Sequence, residues 1–246
     1  SPVFSDGVTL AAGIITVPAG VTSFTVTVPT TADTIDEANE TYTLTVGAAS
    51  GTGTINDDDA APTIQGVTSA TQVEGTALVH TVTLTNASSS STSFAYTLGG
   101  GSATSGTDYT NPPTFSNGVT LVAGNLIVPA GVTSFTVTVP TTLDTIDEGA
   151  SENYNLSVGG VAATGTITDD DNAPSIASVS SANAVEATSI VHTVTLSNAS
   201  SSNTSYTLSL ADVSATGGGT DYTSTLTNAA FSNGVTLAAG IITVPA

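Results

Sequence analysis

The sequence predicts an all-β fold of tandem immunoglobulin-like β-sandwich domains arranged as a rod, and three observations predict it. Apolar and polar residues alternate with period two over many short runs, and no segment has helical periodicity. The chain repeats itself at offsets of 111–112 residues. Its apolar 39% is mainly Val, Ile, Leu and Ala mixed with abundant Thr and Ser, a composition that favours strands. A packed core is expected despite the net charge of −20, since mean hydropathy is +0.27.

The repeat sets the boundaries. Ala-Pro-Thr-Ile at 61–64 returns as Ala-Pro-Ser-Ile at 173–176, and Val-Glu at 73–74 returns at 185–186. Phe-Thr-Val-Thr-Val at 24–28 returns at 135–139, and Asp-Thr-Ile-Asp-Glu at 33–37 returns at 144–148. Residues 1–60 read as the C-terminal half of one repeat, 61–172 as a complete repeat and 173–246 as the N-terminal two-thirds of the next. Segment 4–19 matches 231–246 everywhere except Asp6/Asn233. Such mid-repeat ends are expected of a window cut from a longer array, or of ends that complement those of neighbouring chains.

Within a repeat, Phe24, Val26 and Val28 share one strand face, as do Tyr42, Leu44 and Val46. Leu78, His80, Val82 and Leu84 form another inward set, followed by Phe94, Tyr96 and Leu98. Turns rich in Gly, Ser and Asn separate the runs, giving about seven strands per repeat, the size of an immunoglobulin-like sandwich.

The chain has no Lys or Arg, and eighteen of its 20 carboxylates recur in four kinds of block. These are a lone Glu (Glu74, Glu186), a Gly-Thr-Asp-Tyr (Asp108, Asp221), an acidic loop (Asp33, Asp36, Glu37, Glu40; Asp144, Asp147, Glu148, Glu152) and a triple Asp (Asp57, Asp58, Asp59; Asp169, Asp170, Asp171). The 12 residues from Pro62 to Glu74 span ~40 Å as strand, about the length of a sandwich. Glu74 is therefore expected at the far end of the domain, where the triple Asp also leaves the last strand. Carboxylates gathered there repel one another and oppose folding. With no protein cation to neutralise them, a hard divalent cation with oxygen ligands is the natural partner, calcium ahead of magnesium. Charge for solubility alone has no need of recurring positions.

Composition excludes other chemistry. Without Cys there are no disulfides or thiolate sites. The charge of −20 disfavours nucleic acid and anionic membrane, and no run reaches the roughly 18 apolar residues of a membrane span. His80 and His192 are repeat equivalents on an apolar strand face and read as structural. Ser102 has no preserved Ser/His/Asp arrangement around it, so no enzyme is expected. Eleven of the twelve aromatics occupy repeating positions and read as core, leaving none spare for stacking sugars. Outward Thr rows such as Thr25 and Thr27 read as solvated sheet face, and sequons such as Asn86-Ala-Ser88 as chance in a Ser-rich chain.

Val-Glu-Gly at 73–75, Gly-Thr-Asp-Tyr at 106–109, Asp-Thr-Ile-Asp-Glu at 144–148 and Ile-Thr-Asp-Asp-Asp at 167–171 together resemble the Calx-beta motif of sodium–calcium exchangers and of extender repeats in giant bacterial surface adhesins. The resemblance implies Ca2+ ligands at Glu74, Asp108, Asp144, the carbonyl of Ile146, Glu148, Glu152, Asp169, Asp170 and Asp171. In the first repeat it implies Asp33, Ile35, Glu37, Glu40, Asp57, Asp58 and Asp59, and in the third Glu186 and Asp221. One departure is that the first of the family's paired acids is here Ala32 or Leu143, which removes a carboxylate from each site. The function expected is a calcium-stiffened extender of a large, secreted bacterial cell-surface adhesin, projecting an adhesive domain. Its partners are the neighbouring repeats of the same chain. The alternative is a subunit of a self-assembling extracellular filament or biofilm-matrix fibre, associating with other copies.

Overall fold

In a computed structural model, which describes every residue except 150, 228 and 229, the described secondary structure is strand with no α-helix. The chain forms two compact units. One contains Ser1–Thr63 with Leu84–Thr92 and Pro129–Thr133; the other contains Ile64–Thr83, Ser93–Val128 and Ser134–Ala246.

The complete repeat is a two-sheet sandwich. Its four-stranded sheet runs in the order Thr114–Phe115, Ser134–Val139, Leu78–Leu84, Ile64–Val67. Its six-stranded sheet runs Thr120–Val122, Asn125–Val128, Thr92–Gly99, Glu152–Val158, Val161–Thr168, Ala70–Val73. One of the segments beyond the seven expected arises because the first strand of the repeat breaks and changes sheet, and others are the short strands Thr114–Phe115 and Thr120–Val122. Ile64–Val67 lies in the four-stranded sheet, and after Thr68-Ser69 the chain continues as Ala70–Val73 parallel to Val161–Thr168 in the other. The alternation of inward residues produces the core directly. Leu78, His80 and Val82 face Phe135, Val137 and Val139 across the antiparallel pair, and all are buried. Tyr154, Leu156 and Val158 meet them from the other sheet and are buried as well. Within the six-stranded sheet, the hairpin after Val158 turns on Gly159-Gly160, both at positive φ (56° and 85°), as a two-residue turn of the primed type requires.

Two buried polar groups are absorbed by this core. His80 is fully buried, with Nδ1 2.7 Å from the Thr68 carbonyl and Nε2 2.9 Å from the Tyr154 hydroxyl. Since a carbonyl only accepts, Nδ1 carries the proton and Nε2 accepts from Tyr154. The histidine therefore satisfies the carbonyl left over where the first strand changes sheet. Tyr154 in turn lies over Gly165, where any Cβ would collide with its ring.

The partial repeats differ from expectation in burial. Glu40–Val46 and Ala49–Ile55 form a hairpin in the same register as Glu152–Val158 with Val161–Thr168. Yet Tyr42, Leu44 and Val46 are each 36–37% exposed, whereas their counterparts Tyr154, Leu156 and Val158 are at 0%. The strands that cover those counterparts, Leu78–Leu84 and Thr92–Gly99, have no equivalent in residues 1–60. In the third repeat, Thr204–Thr207, Ile241–Val244 and Thr236–Ala238 form a three-stranded sheet, and Ile176–Val179 pairs with Val194–Leu196.

Candidate metal centre

The parallel pairing of Ala70–Val73 with Val161–Thr168 builds one rim of the complete sandwich. Val73 stands opposite Thr168, so Glu74 follows one strand just where Asp169, Asp170 and Asp171 follow the other. The Glu74 amide donates to the Thr168 carbonyl (3.0 Å), and the Gly75 amide to Thr142 (3.2 Å), with Gly75 at φ 70° making the turn. Thr142 donates to the Asp108 carbonyl (3.0 Å), which ties the Gly-Thr-Asp-Tyr loop to the start of the acidic loop.

Within that frame the carboxylates are held by backbone amides. Asp144 accepts from the Ile146 amide (2.7 Å), and Asp108 accepts from that of Thr104 (2.5 Å). Asp169 Oδ2 accepts from Glu148 (3.1 Å) and Gly149 (3.3 Å), while its Oδ1 accepts from Asp171 (3.1 Å). Glu74 is 5% exposed and accepts from the Asp144 amide at 3.5 Å. Two clusters result. Oxygens of Glu74, Asp170 and Asp171 lie within 4.8 Å of one another, and so do oxygens of Asp108, Glu148 and Glu152.

Electrostatically these clusters are unsatisfied. Burial, and then the charges of Asp144, Asp171 and Asp169, push the Glu74 carboxyl up to about 7 against the partial relief of the Asp144 amide. Glu152 is also pushed up to about 7, first by burial and then by its hydrogen bond and repulsion with Asp108. Burial and neighbouring acids raise Glu148 and Asp171 too. Among the described residues, Glu152 Oε2 and Asp171 Oδ2 are buried with no hydrogen-bond partner. Orphaned carboxylate oxygens converging with other acids, in a chain lacking Lys and Arg, form an all-oxygen donor set. That set suits a hard divalent cation.

The other sequence-predicted residues are not gathered in this way. In the first repeat Asp33 accepts from the Ile35 amide (2.9 Å) and the Asp57 amide donates to Asn39 (3.0 Å). No three of Asp33, Glu37, Glu40, Asp57, Asp58 and Asp59 converge as the two clusters do among the described residues. That repeat lacks a Glu74 and an Asp108 equivalent, the two acids that other segments of the complete repeat bring to the acidic loop. In the third repeat Glu186 and Asp221 are exposed, and Asp221 accepts from the Thr216 amide (2.8 Å). Sequence reasoning missed Asp36 and Asp147, whose carboxylates turn to Ser88 and Ser200, and the Asn-Ala-Ser segments containing those serines. The available signal was their recurrence 112 residues apart in place of a chance sequon.

A β-sandwich whose rim collects carboxylates from two strand ends and two loops belongs to the class of tandem, acid-rimmed β-sandwich repeats. The family model of the Calx-beta domain matches residues 9–64, 57–180 and 169–246, and the chain belongs to that family. Among solved structures it is similar to CBD12 from CALX1.2 (22% identity, 48% of this chain and 49% of that one, TM-score 0.34). It is also similar to the calcium binding domain CBD12 of CALX1.1 (18%, 48% and 49%, TM-score 0.35) and to a tandem from titin (14%, 99% and 82%, TM-score 0.21). The alignment spans about half the length of each CBD12 chain, and the family assignment rests on the family model alone. No curated protein sequence matches the chain significantly.

Proposed function

We propose that these repeats bind calcium and serve as the stiffened extender region of a large bacterial adhesin, exposed outside the cell and without enzymatic activity. The observation that carries the calcium reading is the pair of buried, partnerless carboxylate oxygens on Glu152 and Asp171 in a chain with no cationic side chain. Glu74, Asp170 and Asp171 would hold one ion, and Asp108, Glu148 and Glu152 a second. Asp144, Asp169 and the Ile146 carbonyl lie on the same loops and are available to either. The first repeat supplies part of a set through Asp33, Ile35, Glu37, Glu40, Asp57, Asp58 and Asp59, and the third through Glu186 and Asp221. Calcium neutralises the rim and cross-links loops that otherwise repel one another.

The consequence is mechanical. A site with free calcium at 100 times its Kd stabilises its domain by about 2.7 kcal/mol. Extracellular modules bind with Kd on the order of 10⁻⁴–10⁻³ M, so the repeats would be firm outside a cell and loose inside it. Neighbouring repeats of the same chain are the partners in this reading, which the family membership and the tandem repeat support.

The test is a thermal melt of the whole 246-residue chain, followed by circular dichroism, in EDTA, in millimolar calcium and in millimolar magnesium. A calcium-specific rise that disappears when Asp169, Asp170 and Asp171 are all changed to Asn is expected. An equal melt in EDTA and calcium would overturn the reading. Sedimentation of the same samples separates an extender, which stays monomeric, from a filament subunit.

A further inference from the structure

Each acidic loop does something with its other side. Ile35–Asp36 pairs in parallel with Ala87–Ser88, and 111–112 residues later Ile146–Asp147 pairs in parallel with Ala199–Ser200. In both places a loop of one repeat is bonded to a turn of the next. Ser88 Oγ donates to Asp36 Oδ2 (2.7 Å), and Ser200 Oγ donates to Asp147 Oδ2 (2.9 Å). The next amide along, Ser89 or Ser201, donates to the carbonyl of Asp36 or Asp147, at 2.9 Å in each. Ser88 is 3% exposed.

A second bond fastens the linker. Asn86 Nδ2 donates to the Ala60 carbonyl and Asn198 Nδ2 to the Asn172 carbonyl, both at 2.8 Å. Ala60 and Asn172 follow the triple Asp of each repeat directly. The side-chain amide is itself oriented by a hydroxyl, Thr85 at 2.8 Å or Ser197 at 2.6 Å from its Oδ1. The turn that supplies both bonds reads Asn-Ala-Ser-Ser-Ser at 86–90 and at 198–202. Leu84–Thr92 falls in the compact unit of residues 1–63, although its flanking strand residues belong to the other unit.

We propose that this Asn-Ala-Ser turn is a metal-independent clasp, by which each repeat recognises the acidic loop and exit linker of the repeat before it. Strand alternation explains how one loop serves two purposes. Successive side chains point to opposite sides, so Asp147 is directed away from the side shared by Ile146 and Glu148. Asp36 and Asp147 belong to neither set of three converging carboxylates, although Asp147 still borders Asp169 and Asp171 and adds to the repulsion that raises Asp171. The clasp uses neutral donors on a carboxylate and on a carbonyl. It rests on hydrogen bonds and a strand pair that require no ion, so it stands apart from the calcium reading.

The test exploits the absence of cysteine. Thr97→Cys and Thr207→Cys, at exposed positions on neighbouring repeats, take spin labels in the full chain for distance measurement by pulsed electron resonance. In EDTA the expected result is a narrow distance distribution that broadens at least twofold in Ser200→Ala and in Asp147→Ala. The double variant should be no broader than either single one. Asn198→Ala should broaden it as well, and circular dichroism confirms that each variant keeps its strands. A broad distribution in the unmutated pair in EDTA, or a width unchanged by all the substitutions, would overturn the clasp. Repeating the series in calcium separates the two ideas. A chain indifferent to calcium yet loosened by Ser200→Ala leaves the clasp standing and removes the metal.

Discussion

Glu74→Gln is the substitution whose effect should change sign with the metal. The side chain is 5% exposed, and its carboxyl is pushed up to about 7 from an ordinary 4.5 by burial and by Asp144, Asp171 and Asp169. Holding it ionised above that pH costs on the order of 3 kcal/mol, with relaxation of the rim lowering this toward ~1 kcal/mol. Glutamine keeps the shape, and its oxygen can still accept from the Asp144 amide, so the charge is what changes. In EDTA at pH 8 the variant should therefore be more stable than the parent by about 1–3 kcal/mol. For a domain of this size that is a rise of roughly 4–12 °C in Tm, read by circular dichroism. As pH falls from 8 the folded parent's Glu74 takes a proton, and the difference should shrink, vanishing only below the ordinary 4.5. In calcium the order should reverse, because the variant forfeits most of the metal-linked gain. A variant that is no more stable than the parent in EDTA at pH 8 would refute the unpaired-charge argument. One with a full calcium response would remove Glu74 from the site.

Other outcomes follow from the same geometry. Because Glu74 and Glu152 have folded values raised to about 7, their contribution to stability is present at low pH. It is lost as pH rises through 7, so the metal-free chain should melt higher at pH 5.5 than at pH 8, and calcium should erase that slope. His80 works in the opposite sense: burial lowers its value below 6.5, so the unfolded chain takes the proton first and stability falls as pH drops through 6.5. A Glu74→Gln, Glu152→Gln double variant in EDTA should expose that second slope in a pH series of melts. Gly165→Ala should cost about 2–4 kcal/mol in denaturant titration, since its Cβ would enter the Tyr154 ring. Tyr154→Phe, which leaves His80 Nε2 without its donor, should cost about 1–2 kcal/mol by the same measurement.

How much of this was legible in the sequence depends on whether the signal was local or periodic. Alternation placed Leu78, His80 and Val82 on the inward face, and they are buried; the repeat offset identified Tyr42 and Tyr154 as equivalents, and they pair in the same register. Strand length placed Glu74 at the far rim, and its amide bonds to Thr168 there. The change of sheet at Thr68-Ser69 was invisible because alternation reads the same whichever partner a strand takes. The hydrogen bond from Tyr154 to His80 joins residues 74 apart and leaves no local mark. Asn86-Ala-Ser88 was read against composition, where a Ser-rich chain makes it unremarkable, and its partner Asp36 was grouped with the other acids of its loop. Only the fold shows that Asp36 is bonded to Ser88 of the following repeat.

The absence of Lys and Arg unites the rim and the clasp physically. A lysine or arginine within reach of Glu152 or Asp171 would satisfy those oxygens and occupy the position that a divalent ion would need. The same exclusion applies to the joint, where Asp147 sits one residue from Glu148 and three from Asp144. An arginine from the next repeat would hold Asp147 more strongly than a serine does, but it would also lower the potential that makes the adjoining cluster attractive to a cation. A serine hydroxyl donates to the carboxylate and leaves the net charge of the rim intact. Ser200 and Asn198 thus fasten the joint with dipoles alone. On this reasoning Ser200→Arg should tighten the joint in EDTA while weakening calcium binding at the neighbouring rim. Isothermal titration of calcium into that variant would show it, and unchanged affinity would mean that the clasp and the cluster are electrically independent.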